Sequence, residues 1–130
     1  MVSITTYVKD EIKVILFTEI RGKEYSRTWS IPKDKGDSTV LKELKAVRLG
    51  LEHMTMPVEL EIYVGHPSVV TALNVWIKEW QQNGWKKSDG KELKNKEILE
   101  KIAEDLNKHP YIVKLKEEKK HEIGRNETRK

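Results

Sequence analysis

The sequence predicts an α/β fold built on a mixed five-stranded sheet that is flanked by three helices. Short segments rich in β-branched and aromatic residues alternate with polar turns in the first third of the chain. Helical apolar stripes and further short strands then follow one another towards the polar carboxyl end. The predicted order is β-β-β-α-β-α-α-β, which gives three antiparallel strands first and parallel strands after the first helix.

The first three strands are expected to form an antiparallel meander. They cover residues 2–8, 12–20 and 23–30, and the polar pairs Lys9-Asp10 and Arg21-Gly22 are the turns between them. Because these connections are so short, neighbouring strands must run in opposite directions.

The first helix is expected to begin at Ser38, with Asp37 as the competing N-cap, and Pro57 ends it. Residues 58–64 then alternate apolar and acidic side chains and are predicted to form a strand. A strand, a helix and a further strand in succession favour a crossover connection and a parallel pairing.

Two more helices and a last strand complete the predicted order. Ser68 is the expected cap of a helix that runs to about Gln82, and Asn95 is the expected cap of the next helix. Pro110 ends that helix, and residues 111–115 are the last predicted strand.

The composition describes one domain with a small core. The chain has 130 residues, of which 37% are hydrophobic and 35% are charged, with no cysteine and a net charge of +4. A disulfide scaffold, a thiolate zinc site and a cysteine nucleophile are therefore excluded, and no apolar run approaches a membrane span. Residues 1–116 are expected to form the domain and residues 117–130 a charged, flexible tail. The start of the chain does not resemble a secretory signal, so a cytoplasmic protein is expected.

A specific match covers residues 76–99, WIKEWQQNGWKKSDGKELKNKEIL. Two tryptophans four residues apart, then NGWK, SDGK and an asparagine before a helix resemble the helix and basic protrusion of ribonuclease H type 1. These enzymes cut the RNA strand of RNA–DNA hybrids. Residues 38–51 resemble the first helix of that family more loosely, and residues 121–127 resemble its last loop. The predicted order of elements is also that of the family.

The resemblance implies a two-metal phosphodiester hydrolysis that depends on four carboxylates from separate segments. Glu43 alone occupies one of these positions. Thr6 or Tyr7 stands at the first, Gly65 at the third and Lys130 at the fourth, and the final helix of the family is expected to be absent. The chain is therefore expected to be a catalytically degenerate relative with no metal site and no cofactor, and Mg²⁺ would be needed only by an active nuclease.

Other acidic residues are poor substitutes for the missing ligands. Asp10 and Glu11 lie in a hairpin turn, roughly 10–13 Å beyond the required point. Glu59 and Glu61 alternate with apolar residues and are expected to face solvent. A rearranged metal site nevertheless remains the alternative that keeps nuclease activity.

The resemblance also implies a surface for nucleic acid. Two tryptophans and a serine match residues that line the channel for the DNA strand, and an asparagine and a serine match a phosphate pocket. Trp85, Lys86 and Lys87 extend this surface. The matching positions are Trp76, Trp80, Ser88, Asn95 and Ser38. Gly36 stands in place of the pocket's arginine, and Thr39 and Val40 match residues that reach RNA 2′-hydroxyl groups.

Elementary chemistry supports the same surface. Five lysines (86, 87, 91, 94 and 96) face two acidic residues, Asp89 and Glu92, so this segment carries +3 of the net charge of +4. Clustered lysines bind phosphates and release counterions. An indole face stacks on a base for about 1–3 kcal/mol.

Each of these residues also has a purely structural interpretation. Trp76 and Trp80 share one helix face, which is typical of core packing. In that interpretation Asn95 is a helix cap and Glu43 is a remnant of the family's ligand set that binds no metal. The lysines then belong to a solvated loop.

Three hypotheses therefore follow from the sequence. The first is a non-catalytic domain that binds an RNA–DNA hybrid or another duplex, weakly or without selectivity. The second is an active ribonuclease with a rearranged metal site. The third is a protein-interaction or oligomerisation module that keeps only the fold, with a second copy or another protein as its partner. No membrane partner is expected.

Overall fold

A mixed five-stranded sheet forms the centre of residues 1–86 and 95–116, the part of the chain described by the structure, which is a computed structural model. The strands are β1 (Val2–Tyr7), β2 (Ile12–Ile20), β3 (Lys23–Ile31), β4 (Leu60–Val64) and β5 (Tyr111–Leu115). The helices are α1 (Thr39–Glu52), α2 (Pro67–Thr71), α3 (Ile77–Gln82) and α4 (Lys96–Leu106), and a π-helical turn (Ala72–Trp76) joins α2 to α3. No helix in this part of the chain is long and apolar enough to cross a bilayer.

The sheet has the spatial order β3-β2-β1-β4-β5. The first three strands pair antiparallel, and β4 and β5 add in parallel, so the predicted meander and the parallel additions are confirmed. β4 pairs with β1 and not with β3, the strand that precedes the crossover. In this register Ile4 lies opposite Leu16 on one side and Ile62 on the other. The carboxyl ends of β1 and β4 therefore meet at one edge of the sheet.

α1 packs closely on one face of the sheet. A β-carbon added at Gly50 would stand 3.1 Å from methyl carbons of both Ile4 and Val14, so only glycine allows this approach without displacement. The core side chains come from the sheet and from all the helices that face it. The largest fully buried ones include Ile4, Ile12, Leu44, Leu60, Ile62, Leu73, Ile102 and Leu106. Each stabilises the fold by about 1.5–3 kcal/mol through burial.

The predicted helix starts are only partly correct. Ser38 is the N-cap of α1, since its Oγ accepts a hydrogen bond from the Leu41 amide at 3.1 Å. Ser68 is not the cap of the next helix. That helix begins at Pro67, and His66 caps it by accepting the Ser68 amide on Nδ1 at 3.1 Å. A proline in the first turn has no amide to satisfy, which makes the earlier start favourable.

The start of β4 differs from the predicted boundary. β4 begins at Leu60, two residues later than the alternating pattern indicates. The predicted tail, residues 117–130, and the final helix that the resemblance expects there lie outside the described residues.

The π-helical turn carries a side chain, that of Asn74, which forms two hydrogen bonds to the backbone of β5. Asn74 donates from Nδ2 to the Val113 carbonyl oxygen at 2.8 Å and accepts the Val113 amide on Oδ1 at 3.0 Å. β5 is an edge strand, so this amide group occupies the place of a neighbouring strand. The Tyr111 hydroxyl donates to the Leu73 carbonyl oxygen at 2.7 Å, and burial raises the pKa of Tyr111, which keeps the phenol a donor.

We predict that Asn74→Leu lowers the free energy of unfolding by about 1–3 kcal/mol, because a similar-sized side chain leaves the Val113 amide and carbonyl without these partners. Chemical denaturation of the full chain measures the change. Gln82→Leu, at an exposed position of α3, is the matched control and should alter stability by less than about 0.5 kcal/mol. Equal losses in both variants would show that Asn74 does not support the edge of β5.

Candidate nucleic-acid interface

The buried carboxylate of Glu43 lies at the sheet edge where β1 and β4 end. α1 directs Glu43 towards the sheet, and only 2% of the residue is exposed. The Thr6 hydroxyl donates a hydrogen bond to Glu43 Oε1 and lies 3.4 Å from the Tyr63 carbonyl oxygen. A carboxylate removed from water needs such a donor, because burying it unpaired is strongly unfavourable. Of the two residues offered for the first metal-ligand position, Thr6 contacts the glutamate, whereas Tyr7 is exposed.

Gly65 follows β4 directly and lies against the same carboxylate. A β-carbon built at residue 65 would stand 2.7 Å from Glu43 Oε2, which is too close for any side chain unless Glu43 moves. The Glu43 side chain therefore occupies the space next to position 65, where the resemblance implies the third metal-binding carboxylate. Thr6, Glu43 and Gly65, three positions taken from separate segments of the sequence, do come together at one point.

The remaining acidic candidates are engaged or exposed elsewhere. Asp10 and Glu11 are exposed in the turn between β1 and β2, and Glu59 is exposed before β4. Glu61 was expected to face solvent, but it is half-buried, accepts the Tyr63 hydroxyl at 3.1 Å and pairs with Lys114 at 3.3 Å.

Within residues 1–86 and 95–116, no group of three or more histidine, cysteine or acidic residues is placed to hold a metal ion. The residues described at the carboxyl ends of β1 and β4 offer the Glu43 carboxylate and the Thr6 hydroxyl, whereas a pair of Mg²⁺ ions needs several carboxylates. The residues described at this edge therefore do not fit such a pair. Lys130, the fourth predicted position, lies outside the described residues.

Lys116 reaches the same strand edge from the end of β5. Its Nζ donates to the Thr6 carbonyl oxygen at 2.8 Å and lies 4.2 Å from the centroid of the Tyr7 ring. Lys116 is not among the residues predicted from the sequence, since a single lysine between a strand and a charged segment carries no recognisable signal. Only the pairing of β5 with β4, and of β4 with β1, brings it to Thr6.

Trp76 and Trp80 line a cleft of about 670 Å³ beside α1. Their ring centroids are 6.4 Å apart and their planes differ by 21°, so the indoles are stacked. Trp76 is 45% exposed, which contradicts the interpretation as a core residue, whereas Trp80 is half-buried and packs against the core. We call this space the tryptophan cleft. Its other lining residues include Ser38, Val40, Leu44, Asn95 and Leu99.

The two residues predicted for a phosphate pocket both line the tryptophan cleft. Ser38 is exposed there while its Oγ caps α1. Asn95 precedes α4 in a left-handed conformation with φ of 65°, and its side chain makes no capping hydrogen bond. Asn95 is thus the N-cap residue of α4, as predicted, but its side chain does not supply the capping hydrogen bond. Asparagine tolerates this conformation better than most residues, and here it places the residue at the cleft instead.

The basic segment begins on a fixed support. Trp85 is also left-handed, with φ of 65°; its amide donates to the Trp80 carbonyl oxygen at 2.7 Å and its side chain packs against the core. Lys86 is the next residue and is exposed. On α4, Lys96 Nζ lies 3.9 Å from Glu100 Oε1. Residues 87–94 lie outside the described residues, and the predicted Lys87 and Ser88 are among them.

Two salt bridges from Lys45 stabilise the loop that precedes Ser38. Lys45 Nζ lies 2.9 Å from Asp34 Oδ2 and 2.8 Å from Asp37 Oδ2. The hydrogen bond from the Lys45 ammonium holds the pKa of Asp37 below its ordinary value, and the backbone amide of Asp34 adds to this effect. The start of α1, and with it one wall of the tryptophan cleft, is thereby fixed.

The sheet order, the crossover helix with its inward glutamate and the tryptophan-bearing helix define a ribonuclease-H-like α/β domain. The RNase H family model matches residues 11–127, which is most of the sequence. The chain belongs to the RNase H family.

Individual relatives agree with this assignment. The chain is similar to the ribonuclease H of Caldicellulosiruptor saccharolyticus, with 37% identity over 68 residues, or 52% of this chain and 47% of that protein. The chain thus spans about half the length of the curated relatives it matches. Its fold is that of the PFV RNase H domain, with a TM-score of 0.65 and 18% identity over 88% of this chain and 76% of the other. A foamy viral protease-reverse transcriptase in complex with an RNA/DNA hybrid gives a TM-score of 0.68, with 16% identity over 88% of this chain and 16% of that one.

We predict an energetic coupling between Thr6 and Glu43. Thr6→Val keeps the shape of the side chain but leaves the buried carboxylate without its hydroxyl donor, and should cost about 1.5–3 kcal/mol of stability. In a double-mutant cycle with Glu43→Gln, the coupling energy should be at least about 1 kcal/mol. Denaturant unfolding of the four proteins gives this energy. Strictly additive losses would contradict the hydrogen bond as a stabilising contact.

We also predict that Lys45→Met raises the pKa of Asp37 towards its ordinary value, which an NMR titration of the carboxyl group measures directly. Since the folded-state pKa is lowered, the ion pair contributes stability above the unfolded-state pKa and loses it as the pH falls through the folded-state pKa. The stability difference between the wild type and Lys45→Met should therefore shrink in strong acid. Lys42→Met, a weaker influence on the same carboxyl, should raise its pKa less.

Proposed function

We propose that this chain is a non-catalytic RNase H domain that binds duplex nucleic acid, an RNA–DNA hybrid in the first instance, through the tryptophan cleft. The observation that carries the proposal is the stacked Trp76–Trp80 pair, with Trp76 45% exposed at a cleft that Ser38 and Asn95 also line. An isolated core tryptophan would not leave nearly half of its surface in water. A sequence-tolerant stacking platform needs such an exposed face.

The chemistry of the cleft suits a nucleic-acid strand. The indole faces can stack on sugars or bases, while the Ser38 hydroxyl and the Asn95 amide can bond to phosphate oxygens. Lys78 is exposed on the tryptophan-bearing helix, and Lys86 is exposed four residues after that helix ends at Gln82, so both add positive charge to this part of the chain. Such charge supports binding that weakens with salt.

The non-catalytic part of the proposal rests on the donor set at the strand edge. Glu43 is paired with Thr6, the space beside Gly65 is filled, and the described residues offer no acidic cluster for a metal ion. One carboxylate cannot hold two Mg²⁺ ions against water, because each ion needs several hard oxygen ligands. We therefore propose that the domain needs no metal and cleaves no phosphodiester.

The related proteins favour a hybrid as the first ligand to test. One structure with the same fold contains an RNA/DNA hybrid and another contains double-stranded DNA. Both belong to a foamy viral protease-reverse transcriptase and describe that protein only. They justify the choice of duplexes for the experiment.

The test is a titration of labelled RNA–DNA hybrid, duplex DNA and double-stranded RNA with the full chain, over a salt series, with and without Mg²⁺. We expect salt-dependent binding and intact substrate. Cleavage that depends on Mg²⁺ or Mn²⁺ and disappears in Glu43→Gln would replace the proposal with the nuclease hypothesis. Binding no tighter at low salt than that of a non-basic control protein would leave the protein-interaction module.

Trp76→Ala locates the binding surface in the same titration. Loss of one stacking platform should weaken binding by about fivefold to a hundredfold, from about 1–3 kcal/mol per stacked base. Val75→Ala is the matched control, since Val75 is the adjacent residue, is 51% exposed and does not line the cleft. It should bind like the wild type. If Trp76→Ala also binds like the wild type, the ligand does not occupy the tryptophan cleft.

A further inference from the structure

We propose that the imidazole of His66 donates a hydrogen bond from Nε2 to a phosphate oxygen of the nucleic-acid strand in the tryptophan cleft. The contact is made where the cleft reaches the carboxyl ends of β1 and β4. This inference rests on the proposed function, because it requires a strand in that cleft. It gives His66 a binding role in addition to the cap that its side chain provides for α2.

His66 lies between the tryptophan cleft and the buried carboxylate. Gly65, the residue before it, lies against the Glu43 carboxylate at the carboxyl ends of β1 and β4. Pro67, the residue after it, lines the tryptophan cleft. The cleft is also lined by Leu44, the neighbour of Glu43 on α1. A strand that follows the cleft towards the ends of β1 and β4 therefore passes His66.

The capping contact of His66 determines which ring nitrogen carries the hydrogen. Nδ1 accepts the Ser68 amide at 3.1 Å, so this nitrogen presents a lone pair and has no hydrogen. The other nitrogen of a neutral imidazole then carries the hydrogen, which makes Nε2 a donor. The same contact also fixes the orientation of the ring, because the backbone of His66 is extended, as is typical of an N-cap.

Nε2 of His66 is available to a ligand. Among residues 1–86 and 95–116, the hydrogen bond to the Ser68 amide is the one contact that the imidazole makes. In the same part of the chain, every buried side-chain nitrogen or oxygen atom has a hydrogen-bond partner. Since Nε2 has none there, it must be open to solvent, and a ligand oxygen can replace the water that it binds.

The backbone amides at the start of α2 are already occupied. Pro67 has no amide hydrogen, and the Ser68 amide donates to His66 Nδ1. The amides of Val69 and Val70 donate to the His66 carbonyl oxygen at 3.0 and 3.4 Å. A hydrogen bond to a phosphate at this point therefore has to come from a side chain such as the imidazole.

A neutral donor differs from a lysine in what it contributes to binding. An imidazole N–H bonds a phosphate oxygen without a change in the charge of the protein, so it adds little to the salt dependence of binding. Contacts of this kind fix the position of a strand along the protein. His66 would thus hold one phosphate in register with the bases that stack on the tryptophans.

The experiment separates the two nitrogens of the His66 ring. In His66→Asn the side-chain oxygen replaces Nδ1 and keeps the cap, but no atom reaches the position of Nε2. In His66→Gln the terminal nitrogen is as many bonds from Cβ as Nε2 and keeps a donor, but the cap is lost. Binding of a fluorescein-labelled RNA–DNA hybrid and denaturant unfolding are measured for the full-length wild type and both variants.

We expect His66→Asn to unfold at the wild-type denaturant concentration and to bind the hybrid about twofold to tenfold more weakly, the effect of one net hydrogen bond. The slope of its log affinity against log salt should equal that of the wild type, because the lost donor is neutral. His66→Gln should unfold at a lower denaturant concentration and still bind like the wild type.

His53→Gln is the matched control. His53 is the C-cap residue of α1, at the far end of that helix from Ser38, and it does not line the tryptophan cleft. This variant should bind like the wild type. Equal losses of binding in both His66 variants would show a structural effect and overturn the inference. Wild-type binding by His66→Asn, or a smaller salt slope in that variant, would overturn it as well.

A spectroscopic measurement keeps the inference testable if His66→Gln does not fold. In the long-range proton–nitrogen NMR spectrum of the wild type, addition of the hybrid should shift the Nε2 resonance of His66 and leave that of His53 in place. The spectrum of His66→Asn identifies the His66 signals by their absence. An Nε2 resonance of His66 that does not move on binding would contradict the contact.

Failure of this inference is distinguishable from failure of the proposed function. If the wild type does not bind the hybrid, the proposed function fails. If the wild type binds and Trp76→Ala weakens binding, but His66→Asn matches the wild type, only the role of His66 is wrong.

Discussion

The parallel pairing of β1 with β4 is the constraint on which the rest of the structure depends. β4 pairs on the side of β1 opposite β2. The carboxyl ends of β1 and β4, two strands that are distant in sequence, therefore lie side by side. α1 packs closely on one face of the sheet, which Gly50 permits, and it delivers Glu43 to the point where Thr6 and Gly65 lie. The same crossover places the start of α1 beside the tryptophan-bearing helix. Both the strand edge and the tryptophan cleft are consequences of one strand pairing.

Much of this arrangement could be predicted from local patterns. The meander follows from alternating β-branched segments with short turns, and the cap at Ser38 follows from a hydroxyl before an apolar helical stripe. The later cap could not be assigned in the same way. His66 takes the place expected for Ser68 because Pro67 starts the helix one residue earlier, and a histidine is rarely expected as a cap. The position of Asn95 is also decided by tertiary structure, since its left-handed backbone aims the residue at a cleft that forms only when α1 and α4 pack together.

The candidate site was predictable as a set of positions, but not as a set of roles. Trp76 and Trp80 share a helix face, and this pattern alone favours two core residues. In the structure the two residues differ in environment. Trp80 packs against the core, whereas Trp76 is exposed and its ring stacks on that of Trp80. Periodicity cannot make this distinction, because exposure depends on what the neighbouring elements cover. Lys116 is a stronger case, since only the order of β1, β4 and β5 in the sheet brings it to Thr6.

At the carboxyl ends of β1 and β4, the Thr6 hydroxyl and Gly65 accommodate the buried carboxylate of Glu43. Glu43 would be unfavourable in the core if it were unpaired, but the Thr6 hydroxyl donates to it and the absence of a side chain at Gly65 leaves room for its other oxygen. Restoring an acidic residue at position 65 would thus oppose the present packing as well as add a second charge. The hydrogen bond and the glycine stabilise the same conformation of Glu43. The lining of the tryptophan cleft includes none of Thr6, Glu43 and Gly65, because it comes from the starts of α1 and α4 and from the tryptophan-bearing helix. The buried carboxylate and the tryptophan cleft are therefore maintained by different side chains.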